Sequence, residues 1–149
     1  MNSQEVVKPL LTSRIVWTAL TFSMLFYGFI LFGLQKATFI GIPETYTTLE
    51  LVALTMGLML FVTLWIHEKK VKPEPDMSKR FTYYVMCWAL NEAMVVMAFG
   101  AIITSENGNG FVYVTNFILA LTGNLIMFPK ESGAAVKHFD GPDRSFTKR

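Results

Sequence analysis

Phe81–Thr104 reads FTYYVMCWALNEAMVVMAFGAIIT, 24 residues with a single charge, Glu92, in the twelfth place. A helix that crosses a bilayer needs roughly 20 predominantly apolar residues, and this stretch supplies them. It is apolar all round, where a helix of a soluble bundle would keep a charged face for water. Three other stretches read the same way: Ile15–Leu34 (IVWTALTFSMLFYGFILFGL), Thr47–Ile66 (TTLELVALTMGLMLFVTLWI) and Gly110–Phe128 (GFVYVTNFILALTGNLIMF). Of thirteen Lys+Arg and eleven Asp+Glu, only Glu50 and Glu92 fall inside these limits. The expected fold is an all-α membrane protein, a bundle of four transmembrane helices over residues 15–128.

Composition agrees. Charged residues make up 16% of the chain, against about 25% in average chains, while hydrophobic residues reach 52%. A net charge of +2 lacks the basic excess of a nucleic-acid binder, so no nucleic-acid partner is expected. Disorder needs low hydrophobicity and high net charge. One cysteine excludes an internal disulfide framework.

Positive charge sets the orientation. The segment HEKKVKPEPDMSKR after the second span carries Lys69, Lys70, Lys72, Lys79 and Arg80, and Lys8 and Arg14 precede the first span. The tail, residues 129–149, carries Lys130, Lys137, Arg144, Lys148 and Arg149. The other two connections hold one basic residue, Lys36. Both termini and the middle loop are therefore expected in the cytoplasm, with residues 1–14 as a cytoplasmic N-terminus and the protein multi-pass in the cell membrane. The first span is read as an uncleaved signal anchor, since no A-x-A-like site follows its long apolar run. Pro43, Pro73, Pro75, Pro129 and the run Asn107-Gly108-Asn109-Gly110 fall where helices are expected to stop. Ala19–Phe29 and Ala89–Phe99 share Ala, Leu, Met and Phe at matching places, a pattern that a duplicated two-helix hairpin would leave.

In lipid, helices associate through small residues and polar groups. Thr18, Thr21 and Gly28 recur on one face of the first span, Ala53 and Gly57 on the second, and Ala89 and Ala93 on the third. Asn116, Ala120, Gly123 and Asn124 line one face of the fourth. All are expected to be packing positions. The two asparagines need partners as well, because an unsatisfied polar group in lipid costs several kcal/mol.

Glu92 is the candidate functional residue. An ionised carboxylate at the bilayer centre costs roughly 2.5–3.5 kcal/mol on insertion scales. Glu92 is therefore expected to face the bundle interior, with Asn116 and Asn124 flanking its depth and Thr21 and Tyr27 within reach. A carboxyl with amide and hydroxyl partners can bind a proton or a small cation; bonded to a neighbouring helix, it can equally act as structural glue. Glu50, near the outer end of its span, is expected to be hydrated.

Haem needs an axial ligand such as histidine, and His67 and His138 both lie outside the four spans. No phosphate loop or catalytic motif occurs. No cofactor or metal is expected, and no enzyme activity.

ALNEAMVVMAFG (Ala89–Gly100) resembles the carboxylate helix of rotary ATPase proteolipid subunits, in which a mid-membrane Glu is preceded by A-L-A and followed by small residues and a Gly. A polar segment, KKVKPEPDMSKR, precedes it here as in that family. The resemblance implies an ion-carrying carboxylate at Glu92. It covers only those residues, and the family's glycine ladder is reduced in the second span to Gly57.

Two functions are expected from the sequence. One is a non-catalytic accessory subunit of a larger membrane complex, docking to other membrane subunits or to its own copies within the bilayer. The other is a small oligomeric proton- or cation-coupled transporter or channel using Glu92, Asn116 and Asn124.

Overall fold

The computed structural model describes residues 3–34, 42, 44–105 and 109–129. Helix α1 spans Ser3–Gly33, α2 Thr48–Met56, α3 Met59–Ile66, α4 Met77–Thr104 and α5 Gly110–Ile126. α2 and α3 run on through a π-helical turn, His67–Val71, as one apolar rod, Thr48–Val71, which makes four helices among the described residues. Three are long and apolar enough to cross a membrane; α5 is shorter. Its 17 residues extend about 26 Å, a little under the roughly 30 Å hydrocarbon core.

The helices start where side chains can satisfy free N–H groups. Thr47 caps α2, and Glu50 returns a bond to the Thr47 N–H, completing a capping box. Asp76 accepts from Ser78 and Lys79 at the start of α4, and Asn109 accepts from Phe111 at the start of α5. Helix limits differ from the apolar limits because caps and prolines set where a helix starts and stops, and polar residues can extend it beyond its apolar run. α1 thus continues through much of the expected N-terminal segment, and α4 begins four residues before Phe81. Pro43, Asn107, Gly108 and the tail from Lys130 lie outside the described residues.

α4 is the hub. It packs on α1, on the α2–α3 rod and on α5, while α5 also touches α1 and the rod. The core has two apolar clusters. The larger includes Met24, Leu31, Leu60, Met94, Ile102 and Val112. The smaller holds Ile66, Cys87, Trp88 and Met127. Between them on all four helices lies a polar layer of Thr21, Thr63, Asn91 and Asn124, each buried. The exterior is apolar too: Phe22, Phe26 and Phe29 of α1 and Phe61 and Trp65 of α3 are exposed, Phe29 by 75%. Apolar surface on that scale marks contact with lipid or another protein.

Glycines set the closest approaches. A methyl on Gly28 would meet the Tyr113 ring, with its nearest atom 3.0 Å away. Tyr113 lies across α1 there and donates its hydroxyl to the Met24 carbonyl.

Candidate functional site

The polar layer forms one chain of hydrogen bonds through the four helices. The Thr63 hydroxyl lies 3.1 Å from Asn91 Oδ1. Asn91 donates through Nδ2 to Asn124 Oδ1 at 2.8 Å. Asn124 in turn donates to the Thr21 hydroxyl at 3.3 Å. The rod, α4, α5 and α1 are thereby tied in that order. Trp17 of α1 adds a bond from its indole N–H to the Asn124 carbonyl at 2.8 Å. Gly123 makes room for the Asn91 amide: a methyl there would lie 2.7 Å from Nδ2.

Glu92 stands apart from this chain, which corrects the expected cluster. One residue along an α-helix turns about 100°. Asn91 faces α5 and the rod, so Glu92 reaches the edge of α4 beside α1. There it is half-buried, and its Oε1 accepts from the Ser23 hydroxyl and from Tyr27 Oη at 3.5 Å. The Tyr27 ring rests against Phe99, 5.3 Å between centroids. Asn124 serves the chain above, and Asn116 donates to the Val112 carbonyl at 3.0 Å within its own helix. Neither asparagine bonds to Glu92. Tyr27 is the expected partner that the structure does bring to the carboxylate; Thr21 bonds to Asn124 instead.

The packing positions divide. Ala53 and Ala120 are fully buried, and Thr21, Gly28, Gly57 and Gly123 are buried too. Thr18 is exposed, with its hydroxyl bonded to the Arg14 carbonyl at 2.8 Å. Ala89 is exposed and Ala93 half-buried. Both lie two residues from Asn91, about 200° around the helix, so the expected α4 seam lies away from the polar layer, with Ala89 open and Ala93 partly covered.

Glu50 is a second correction. It is 3% exposed rather than hydrated. Its Oε2 accepts from the Thr47 N–H at 2.8 Å and its Oε1 from the Asn109 N–H at 3.1 Å. The carboxylate thus sits between the N-termini of α2 and α5, where both helix dipoles favour negative charge. The Thr47-x-x-Glu50 spacing carries that signal in the sequence. Ser23, Thr63 and Asn91 had no such signal.

No protein-family model, curated protein or solved structure matches the chain.

Proposed function

We propose that this chain is a small integral membrane protein serving as a non-catalytic accessory subunit of a larger membrane complex, with both termini in the cytoplasm. One observation carries the reading: the polar groups point to different places. Thr21, Thr63, Asn91 and Asn124 bond to each other and hold the bundle shut. Glu92, the one charged side chain near the middle of α4, lies half-buried at the bundle's edge, next to the exposed Ala89 and the half-buried Ala93. Small residues beside a polar group are what a second transmembrane helix packs against. The proteolipid-like stretch Ala89–Gly100 makes an energy-converting complex the first to examine.

Size-exclusion chromatography of native membranes extracted in mild detergent tests this. Co-migration with larger subunits, identified by mass spectrometry, is the expected result; migration alone or only with copies of itself rejects it. The second reading, a proton- or cation-coupled protein, is favoured by the two hydroxyls on the Glu92 carboxylate. Glu92→Gln separates the readings. Its amide oxygen still accepts from Ser23 and Tyr27, so the accessory role survives, whereas ion coupling stops with loss of the ionisable group.

A further inference from the structure

The α2–α3 rod changes pitch at its middle. The N–H groups of Gly57 and Leu58 bond to the carbonyls of Leu54 and Thr55, and those of Leu60 and Phe61 to Gly57 and Leu58. Each bond reaches three residues back instead of four, as in a 3₁₀ turn. The Ala53 carbonyl therefore loses the bond that the Gly57 N–H would give it in an α-helix. Ala53 is fully buried, and Gly57 follows it one turn later on the same face.

Asn116 of α5 lies opposite. It is fully buried; its amide N–H is used by Val112, and its Oδ1 has no hydrogen-bond partner. That oxygen lies 3.6 Å from where a methyl on Gly57 would be. The Leu54 carbonyl, which accepts from the Gly57 N–H, lies 3.0 Å from the same point, so two acceptors converge on the space that the missing side chain leaves, and Asn116 Oδ1 has no donor. A bare acceptor in an apolar interior costs several kcal/mol, so the place calls for a donor. A hard cation takes about six or more oxygen ligands, and the carboxylates of Glu50 and Glu92 are held elsewhere. Water has two protons and the right size.

We propose that one water molecule is bound at the Gly57 turn, donating to Asn116 Oδ1 and to the Leu54 carbonyl. It satisfies the buried acceptor that the turn otherwise leaves bare.

Hydroxyl-radical footprinting of the full chain in detergent micelles tests this, because radiolysis of a bound water oxidises the side chains beside it. Leu119, whose Cδ1 would lie 3.0 Å from a methyl on Gly57, is expected to be oxidised above Leu90, which is half-buried as well. The excess is lost in Asn116→Leu and in Gly57→Ala, either variant sufficing if the other does not fold. Equal oxidation of Leu119 and Leu90 in the unaltered protein overturns the proposal, as does an excess that persists in a folded variant. The melting temperature is expected to be equal in sodium, potassium and choline chloride; a shift with one metal ion alone replaces water by a cation and overturns it as well.

Discussion

Replacing Gly123 with alanine sets a methyl group against the Asn91 amide. The new carbon would lie 2.7 Å from Asn91 Nδ2, 3.2 Å from its Cγ and 2.9 Å from Leu60 Cδ1. Leu60 can rotate away. The amide can move only by giving up its bond to Asn124, 2.8 Å long, and its contact with Thr63 at 3.1 Å. Interhelical bonds of this kind average about 0.6 kcal/mol each, and overpacking adds about 1–3 kcal/mol. The single substitution should therefore cost about 2–4 kcal/mol. In an Asn91→Ala background the amide is gone, and the same methyl should cost under about 1 kcal/mol. The double-mutant cycle should then show a coupling of about 1–3 kcal/mol, with the double variant more stable than the two single losses imply. Unfolding of the full chain in mixed micelles by titration with sodium dodecyl sulfate, followed by the fluorescence of Trp17, Trp65 and Trp88, measures it. Additivity within about 0.5 kcal/mol would refute the apposition of Gly123 and Asn91.

Glu50→Ala removes the capping box and leaves the Asn109 N–H without its acceptor. It should cost about 1–3 kcal/mol in the same titration; no loss would mean that Glu50 is hydrated. Tyr113→Phe keeps the ring over Gly28 and removes the bond to the Met24 carbonyl. A loss of about 0.5–1.5 kcal/mol is expected, and a loss above about 3 kcal/mol would contradict a single hydroxyl bond. Ala89→Leu adds bulk to an exposed position and should change stability by no more than about 0.5 kcal/mol. On the accessory-subunit proposal it nevertheless reduces co-migration with the partner subunits. A large loss of stability would place Ala89 inside the bundle.

The four helices were legible because each is an apolar run between charges and prolines. Their rotation was not. Outward-facing and core-facing positions are both apolar, so periodicity gives α4 no face to read. The choice between Asn91 and Glu92 as the inward residue is one of about 100°, and it was settled by Gly123 and Thr63 on other helices. Small residues misled in the same way: Ala53–Gly57 turned inward and Ala89–Ala93 away from the polar layer, with the same spacing. The turn at Gly57 had no sequence mark beyond the glycine itself, which read equally well as a packing position. Glu50, by contrast, was misread although Thr47 stood three residues before it, because its place near a span end suggested water.

On the membrane reading proposed above, the polar layer also bears on how the chain enters a bilayer. The Thr63 hydroxyl lies 2.9 Å from the carbonyl of Leu60 in its own helix, so the first hairpin can be released into lipid with this group already satisfied. An asparagine amide has more bonding groups than one helix readily satisfies, and Asn91 and Asn124 belong to α4 and α5, which follow one another in the chain. Emerging together, they satisfy each other before either is left alone in hydrocarbon. The order of the sequence thus keeps the costliest groups for last and delivers them as a pair, to a first hairpin that already offers Thr21 and Thr63 as their outer partners.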